Sequence, residues 1–447
     1  MTNTTGPTDA NWRERYASQL GTAEEAVSVV KPGNRIWAGV WTSVPTMLCG
    51  ALAARAGELS GITIGTALTA YNWDSDAVNA NFDVISFHAG PYERAAARAG
   101  RFDFIPVAQW RDGHLPPGLD RGFDAALIPI SPPDADGYCS FGGGVWFGPT
   151  VSATADLLIG EVHPEFIRTA GANRIHVSKF ARLAEFDVKP LPPPIPPRSE
   201  ETELAAQVIC TLVANEIVYD GCTLQFGVGD VSAALPVFLG EHHDLGVHTE
   251  IMPGGIVDLV KQGVATSKYA PIHPGKFIAS ALVQMPGEDL EFISQDDRFE
   301  LYDFTHTDDL RNLLRIENFV AVNNAMAVDV TGNVAAETLG SSLFSGTGGQ
   351  AAFAVGASTA AGGSVTVLPS SQLTPSGRQS RIVAGHPAGC VVTVHRGFVD
   401  FVVTEQGIAR LRGKSLRERI GEMISIAHPD FRTELRHEAA KLYGISI

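Results

Sequence analysis

A proline-rich stretch in the middle of the chain, KPLPPPIPPRSEETE, cannot be accommodated by a helix or by a central strand. Six prolines lie between Pro190 and Pro197. Such a stretch forms an extended, semi-rigid connector. The chain of 447 residues is also longer than one hydrophobic core usually serves. We therefore predict two domains, 1–188 and 204–447, joined by a proline-rich linker at 189–203.

Both predicted domains alternate short apolar runs with amphipathic segments. The runs ITIGTAL and FDAALIPIS in the first half, and FVAVNNAMAVD in the second, are typical of buried strands. PTMLCGALAARAGEL and ELAAQVICTLVANEI carry apolar residues at three-to-four spacing, which indicates helices. This alternation predicts an α/β fold with open, largely parallel sheets.

The C-terminal part of the second domain is less regular. We predict a strand at CVVTVHR, Cys390–Arg396, and a basic helix in VVTEQGIARLRGKSLRERI, after Glu405. The predicted helix carries the cations Arg410, Arg412, Lys414, Arg417 and Arg419. In a protein of net charge −16, such a helix faces an anionic ligand or a dimer partner, or it is a solvated surface.

Charge and hydropathy exclude several classes of protein. An acidic chain is a poor candidate for non-specific nucleic-acid binding. The N-terminal residues lack the apolar core of a signal peptide. No apolar run reaches the roughly 18 residues that a membrane span requires. We therefore expect a soluble, cytoplasmic protein without nucleic-acid or membrane partners.

The cysteines and acidic turns do not form a metal motif. The five cysteines are far apart, as expected for reduced thiols, and no His/Cys cluster has metal-ligand spacing. In SPPDADGYCSFGGG, Asp134 and Asp136 are interpreted as turn formers and Cys139 as a buried structural thiol. We expect no metal site.

Two glycine-rich segments are candidates for ligand contact. In LQFGVGD, a predicted strand enters the turn Gly227-Val228-Gly229, whose backbone N–H groups suit a phosphate or a developing oxyanion. The alternative is a tight strand-to-helix connection, and the spacing is not that of the dinucleotide fingerprint. The loop GTGGQAAFAVGA, which starts at Gly346, consists mainly of glycine and other small residues and suits close contact with a bulky ligand. Its alternative is a flexible surface loop.

A single carboxylate stands out in GVHTEIMPGG. Glu250 lies about 20 residues after the glycine turn, a spacing that leads through one helix to the next strand end. Glu250 and the turn are therefore expected at the same edge of the sheet. A carboxylate beside an oxyanion-stabilising turn suits acyl transfer. Local sequence alone favours a helix cap or a salt bridge.

Taken together, these segments resemble the acetyl-CoA hydrolase/transferase family of class I coenzyme A transferases, which includes 4-hydroxybutyrate and butyrate:acetate CoA-transferases. The resemblance covers nearly the whole chain and includes TAEEAVSVVKPGNRI, DAALIPISPPDADGYCSFG, LGVHTEIMPGGIVDLV, GTGGQ and VVTEQGIARLRGKSLRER. It implies two CoA-transferase domains of the NagB/RpiA-like fold with the active site between them. It also implies acyl-CoA and a small carboxylic acid as substrates, no permanently bound cofactor, and a homodimer or dimer of dimers.

The resemblance also implies roles for individual residues. Glu250 is implied as the nucleophile, which carries CoA as a glutamyl-CoA thioester in ping-pong exchange. The implied CoA contacts are Gly227, Val228, Gly229, Asp230, Val231, Asn323, Gly346, Gly348, Gly349 and Gln350. Two alternatives are an acyl-CoA hydrolase that uses the same Glu and a catalytically silent CoA-binding protein.

The chain departs from the family pattern in the glycine loop. Ala352 stands where the family has Asp, and Val355 where it has Arg. Losing both partners of an ion pair costs much less than losing one, so we expect the loop to fold. Acceptor specificity is not expected to follow the acetate- or butyrate-using members. Bulky side chains that could shape another acid pocket are Tyr71, Asn72, Trp73 and Trp146.

Overall fold

The computed structural model describes residues 6–107, 122–186 and 199–447. The chain divides into two compact units, Met1–Pro192 with Ile278–Thr307, and Pro193–Phe277 with Asp308–Ile447. The sequence analysis did not predict that 278–307 belongs with the first unit. Most of the predicted linker, 189–198, lies outside the described residues, so its extended conformation stays a prediction.

The last residues of the predicted linker are helical. Ser199 accepts a hydrogen bond from the backbone N–H of Thr202 (3.2 Å) and caps the helix Glu200–Glu216. The first turn carries three glutamates, which the positive end of the helix dipole stabilises. The segment SEETE is therefore a helix start, although the prolines before it led us to assign it to the linker.

The first unit is built on an eight-stranded sheet. Each pair of neighbouring strands in it is parallel. In spatial order the strands are Leu20–Gly21, Phe180–Glu185, Leu157–Val162, Ala125–Ile130, Arg35–Val40, Ile62–Ala67, Phe82–Ser86 and Phe102–Phe104. The helices are Trp12–Arg15, Ala23–Val27, Thr46–Ala54, Asp76–Asn81, Pro91–Arg98, Gly148–Thr154, Gly287–Ser294 and Phe304–Thr307.

Apolar runs of the sequence form the core of this unit. Ile36 and Ile64 on the central strands pack in one buried cluster with Leu48 and Leu52 of the helix Thr46–Ala54. The strands are buried over nearly their full length, which explains why they read as continuous apolar runs. Short strand pairs complete the unit: Ala170–Gly171 with Phe299–Leu301, and Tyr138–Cys139 with Ile175–His176.

The second unit contains six neighbouring strands of a mostly parallel sheet. In spatial order its strands are Gly407–Arg410, Phe401–Thr404, Gly363–Val367, Phe319–Asn324, Thr223–Phe226 and Gly246–His248. The first pair is antiparallel and the other pairs are parallel. These two sheets confirm the predicted α/β class with largely parallel sheets.

Helices and short strand pairs surround this second sheet. The helices are Glu200–Glu216, Asp230–Ala234, Ile256–Lys261, Leu310–Leu313, Gln350–Ala357, Leu416–Ser425 and Arg432–Tyr443. The shorter strands are Ile251–Met252, Ala327–Asp329, Val334–Ala335, Thr338–Leu339, Ser342–Leu343, Ser371–Thr374, Gly377–Ser380 and Ile382–Val383. In the described part of the chain, no helix has the length and hydropathy that crossing a bilayer requires.

Two predicted elements are wrong. Cys390–Arg396 is not a strand, and Val394 makes only an isolated bridge with Val334. Val391 and Val392 are 42% and 43% exposed, so no neighbouring strand among the described residues packs against them. Valine favours a strand only where a neighbouring strand completes the pairing, and the apolar composition alone therefore did not produce one.

The predicted basic helix is the second error. Its first part is the strand Gly407–Arg410, and Gly413, at φ +74°, turns the chain away from it. Ser415 then caps the helix Leu416–Ser425 through a capping box. Of the five predicted cations, only Arg417 and Arg419 lie on this helix.

Candidate active site

The carboxyl edge of the second unit's sheet gathers most of the residues singled out in the sequence. The neighbouring strands Thr223–Phe226, Gly246–His248 and Phe319–Asn324 run parallel, so the segments that follow them lie at one edge. The glycine turn follows the first strand, Glu250 lies two residues after the second, and Asn323 lies near the end of the third. The predicted meeting of Glu250 and the glycine turn at one edge is therefore what the structure has.

A side-chain bond fixes the chain next to Glu250 against the glycine turn. The hydroxyl of Thr249 accepts a hydrogen bond from the backbone N–H of Phe226 at 3.1 Å. Thr249 is fully buried, and Phe226 is the last residue before the turn. The residue before Glu250 and the residue before the glycine turn are thus bonded to each other, where two paired strands end.

The glycine turn requires glycine at two positions. A Cβ at Gly227 would lie 2.5 Å from Oδ1 of Asn323. Gly229 has φ +139°, and a Cβ there would lie 2.5 Å from the side-chain amide nitrogen of Asn324. That amide also donates to the carbonyl of Val228 at 3.0 Å. The turn therefore lies directly on the end of the neighbouring strand.

The side chain of Val228 points away from this contact and is 58% exposed. An exposed apolar side chain at the tip of a turn of backbone donors offers a surface for the apolar part of a ligand. Asp230, which opens the helix Asp230–Ala234, is also exposed, whereas Val231 is buried. The assignment of these turn residues as CoA contacts stays a prediction.

Asn323 and Gln225 form a buried amide pair. The Gln225 amide nitrogen donates to Oδ1 of Asn323 at 3.1 Å, and the Asn323 amide nitrogen donates to Oε1 of Gln225 at 2.8 Å. Asn323 is only 7% exposed. Its side chain is therefore engaged in holding two strand ends together, and its predicted contact with CoA stays a prediction.

Glu250 lies against Asp308 and the glycine loop. Its carboxyl group makes hydrogen bonds with the side chain of Asp308 and with the backbone N–H of Gly349. Burial raises the pKa of Glu250 to about 7, and these two hydrogen bonds act in the opposite direction. Glu250 is partly buried, whereas Asp308 is fully buried.

The glycine loop leads into a helix whose start lies at this carboxylate. Gly349 caps the helix Gln350–Ala357, and a Cβ on Gly349 would lie closer than 3.0 Å to side-chain oxygens of both Glu250 and Asp308. The side chain of Gln350 donates to the carbonyl of Asn324 at 3.2 Å. The loop is therefore joined both to Glu250 and to the strand that carries Asn323.

The rest of the loop is fixed by polar contacts further from Glu250. Thr347 donates to Oε2 of the buried Glu337 at 3.1 Å, and the neighbouring Gly348 has φ +56°. The carbonyl of Gly346 accepts a hydrogen bond from Ser345 at 3.2 Å. These contacts hold the backbone of a loop that the sequence alone left open as a flexible surface segment.

The two positions that depart from the family pattern lie on the helix Gln350–Ala357. Ala352 is fully buried, and Val355 is partly buried. Phe353 between them packs edge-to-face on Phe319, with ring centroids 6.2 Å apart. Apolar side chains at both positions are compatible with this packing, and the segment forms a regular helix without the ion pair.

Sequence reasoning missed two charged residues at this edge. Asp308 lies in HTDDL, a segment without any motif or periodicity that distinguishes one acid from the next. Arg381 donates to the carbonyls of Ala325 and Met326, each at 2.9 Å. Burial lowers the pKa of Arg381, and the charge of Asp230 acts in the opposite direction. Arg381 lies in SRIV, a further short segment in which the chain resembles the acetyl-CoA hydrolase/transferase family, and that resemblance was the available signal for it.

The bulky side chains proposed to shape an acid pocket belong to the first unit. Trp73 and Trp146 are buried in its interior, and the indole N–H of Trp146 donates to Thr42 at 2.9 Å. Tyr71 packs edge-to-face on Trp73, with ring centroids 4.9 Å apart. The buried rings of Trp73 and Trp146 support the core, and the proposed pocket stays a prediction.

The loop around Cys139 contains a turn and a buried thiol. Oδ1 of Asp134 accepts hydrogen bonds from the backbone N–H groups of Asp136 (3.0 Å) and Tyr138 (2.8 Å), as in an Asx turn. Burial raises the pKa of Cys139 to about 12, which makes its thiol a poor nucleophile. Within the ranges that the structure describes, no cluster of three His, Cys, Asp or Glu side chains could hold a metal ion.

Comparison with known proteins covers both units of the chain. Residues 7–196 match the model of the acetyl-CoA hydrolase/transferase N-terminal domain, and residues 288–439 match that of its C-terminal domain. The chain is 33% identical to 4-hydroxybutyrate coenzyme A transferase of Clostridium kluyveri, over 97% of this chain and 100% of the relative. It is 31% identical to succinyl-CoA:cyclohexane-1-carboxylate CoA transferase of Geobacter metallireducens, over 97% and 98%.

Solved structures share the fold over the same length. The crystal structure of RipA from Yersinia pestis superimposes with a TM-score of 0.86 at 27% sequence identity, covering 97% of this chain and 100% of RipA. The similarity is therefore one of whole chains, in sequence as in structure.

Proposed function

Because the chain belongs to the acetyl-CoA hydrolase/transferase family, we propose that it moves coenzyme A from an acyl-CoA donor to a small carboxylic acid, with Glu250 as the nucleophile. The observation that carries this proposal is the position of Glu250. Glu250 follows Thr249, which is bonded to the residue that precedes the glycine turn, and its carboxylate accepts a hydrogen bond from the backbone N–H of Gly349.

The first half-reaction forms a covalent intermediate. An oxygen of the Glu250 carboxylate attacks the thioester carbonyl carbon, the carbon–sulfur bond breaks, and CoA leaves as a thiolate. The thiolate then attacks the Glu250 carbonyl carbon of the mixed anhydride and expels the donor acid as a carboxylate. The product is a glutamyl-CoA thioester, so the energy of the thioester is kept.

The second half-reaction reverses these steps with the acceptor acid. Its carboxylate attacks the glutamyl thioester and releases CoA thiolate, which then attacks the acceptor's carbonyl and frees Glu250. No net proton is taken up or released over the exchange. Two half-reactions that share a covalent intermediate predict ping-pong kinetics.

Backbone donors near Glu250 supply the electrostatic part of the proposal. Each attack places negative charge on a carbonyl oxygen, and a preorganised donor for such an oxyanion is typically worth roughly 3–4 kcal/mol. The N–H of Gly349 is one candidate, and those of the turn Gly227–Val231 are others. The positive end of the helix Gln350–Ala357 adds to the effect of Gly349.

The experiment measures CoA transfer directly. The protein is incubated with acetyl-CoA or succinyl-CoA and a panel of acids that includes 4-hydroxybutyrate, cyclohexane-1-carboxylate, acetate and butyrate, and new acyl-CoA species are quantified by mass spectrometry. We expect a new acyl-CoA that requires both the acid and Glu250. Consumption of acyl-CoA at full rate without any acid would instead assign a hydrolase.

A second measurement looks for the covalent intermediate. After incubation with acyl-CoA, borohydride reduces a glutamyl thioester, and peptide mass spectrometry locates the change. We expect it at Glu250 and not in Glu250→Gln. Glu241→Gln removes an exposed acid of the same unit and is the matched control. A wild-type protein that carries no change at Glu250 and transfers no CoA would favour a silent CoA-binding protein.

A further inference from the structure

Asp308 shares its hydrogen bond with Glu250 although both side chains are acids. An ionised carboxylate has only acceptor oxygens, so two carboxyl groups form a hydrogen bond only when one of them is protonated. The side chain of Asp308 is fully buried, and a Cβ on Gly349 would lie closer than 3.0 Å to an oxygen of each acid. The two carboxyl groups thus meet beside Gly349, and a hydrogen bond between them needs one proton on one of the two acids.

The surroundings determine which acid keeps the proton. Burial penalises the charged form, and Asp308 is fully buried whereas Glu250 is partly exposed. The N–H of Gly349 donates to Glu250, which favours the ionised form of Glu250. Asp308 is thus the better place for the proton, and Glu250 for the negative charge.

Charged groups on the elements packed around the pair do not change this assignment. His248, on the preceding strand, packs edge-to-face on Phe319, with ring centroids 6.4 Å apart. Asp309 forms an ion pair with Arg311 at 2.5 Å. The helix Gln350–Ala357 carries no ionisable side chain. Among the described residues, the influences on the pKa of Glu250 are burial, Asp308 and Gly349, and none of these is a cation.

We infer that Asp308 is a positioning residue for Glu250: it retains the shared proton, donates it as a hydrogen bond to the Glu250 carboxylate, and holds that carboxylate in the orientation from which it attacks the thioester. This inference rests on the proposed role of Glu250 as nucleophile. The proton stays on Asp308 throughout. Once Glu250 is acylated, the same O–H donates to its carbonyl oxygen and stabilises the oxyanion that forms at each later attack.

The test compares Asp308→Asn with Asp308→Ala. The Asn side chain keeps a hydrogen-bond donor but does not titrate, whereas Ala removes the donor. For each variant, the kcat and KM of CoA exchange are measured from pH 5 to pH 10, and thermal denaturation checks folding.

Asp308→Asn is expected to keep kcat within about tenfold of wild type, because an oriented neutral donor remains. Asp308→Ala is expected to lose about 100-fold in kcat with little change in KM, because Glu250 is no longer oriented. The acid limb of its kcat profile should also move to higher pH, since a hydrogen bond that favours ionised Glu250 is lost. In Asp308→Asn the acid limb should stay where wild type has it, because the amide still donates to the Glu250 carboxylate.

The outcomes separate this inference from the proposed function. Wild type without transfer or a Glu250 intermediate would contradict the proposed function itself. If wild type forms the intermediate but both Asp308 variants keep the wild-type kcat and pH profile, only the positioning role is overturned. An equal loss of kcat in Asn and Ala variants, with unshifted pH limbs, would likewise overturn it. If Asp308→Ala does not fold, Asp308→Val, which fills the space without a donor, replaces it with the same expected loss of kcat and the same shift of the acid limb.

Discussion

The backbone N–H of Gly349 donates a hydrogen bond to the side chain of Glu250, and that side chain lies where a Cβ on Gly349 would have to be. The glycine is thus both a donor to the carboxylate and the reason that the carboxylate has room to receive it. The φ of Gly349 is −81°, so its backbone conformation is open to any residue. The requirement for glycine at this position is therefore one of space alone.

Gly349→Ala should displace Glu250 without unfolding the protein. The added methyl group would overlap oxygens of Glu250 and Asp308 and the ring of Phe353, and Glu250, the least buried of the three, moves most easily. Misplacement by about 1 Å is expected to lower kcat by about 100-fold. Gly240→Ala is the matched control, because a Cβ there meets no atom within 4 Å. Equal exchange rates in the two variants would contradict the close contact.

CoA exchange should increase with pH through neutrality. Glu250 attacks only as a carboxylate, and burial raises its pKa to about 7. The rate is therefore expected to fall as pH decreases below that value, because binding of one proton to Glu250 inactivates the site. The measurement is kcat at saturating acyl-CoA between pH 5.5 and 8. A profile that is flat down to pH 5.5 would show that Glu250 titrates as an ordinary surface glutamate.

The stability of the fold should carry the opposite pH dependence. In the unfolded chain a glutamate has a pKa of about 4.3. Between that value and about 7, the folded protein binds the proton more tightly than the unfolded chain does. The contribution of Glu250 to stability is therefore fully present below about pH 4.3 and is lost as pH rises through 7.

Glu250→Gln removes this titration and serves as the comparison. The difference in Tm between Glu250→Gln and wild type is expected to grow in favour of the variant from pH 5 to pH 7, and to level off above that. Glu241→Gln, an exposed site, should give a difference that does not depend on pH. A pH-independent difference for Glu250→Gln would rule out the raised pKa.

The amide pair of Asn323 and Gln225 should be strongly coupled in stability. Asn323→Ala leaves the buried amide of Gln225 without its partner, which is expected to cost about 1–3 kcal/mol. Gln225→Ala should cost a similar amount, and the double variant less than the sum of the two. The free energies of unfolding from urea titrations of the four proteins give the coupling. Additive single effects would show that the pair does not act as a unit.

Much of the fold was predictable, because its strands are buried over their whole length. ITIGTAL contains the observed strand Ile62–Ala67, and LQFGVGD contains the end of the strand Thr223–Phe226 followed by the glycine turn. The two failures, at Cys390–Arg396 and at the basic segment after Glu405, lie where local composition was apolar or basic but pairing and turn geometry decided the outcome. Partner strands are supplied by distant parts of the chain, and local propensity does not contain them.

The residues of the candidate site could be predicted only where they lie in a recognisable local sequence pattern. Gly227, Gly229 and Glu250 lie in recognisable turns after strands, and parallel strands bring such turns to one edge. Asp308 lies in no such pattern. It meets Glu250 because the chain returns to the second unit at that residue after the excursion 278–307. A contact produced by such a return is visible only in three dimensions.

The same excursion has a consequence for engineering of the gene. Neither unit is encoded by one uninterrupted stretch, since 278–307 lies inside the second unit's part of the sequence but belongs to the first. Splitting the gene at the proline-rich segment would therefore deprive the N-terminal fragment of Phe299–Leu301, the strand that pairs with its own Ala170–Gly171. The N-terminal half expressed alone would therefore be incomplete, and the C-terminal half would carry 278–307 in addition to its own unit. Moving 278–307 to follow residue 192, and joining residue 277 directly to residue 308, would encode each unit as one block.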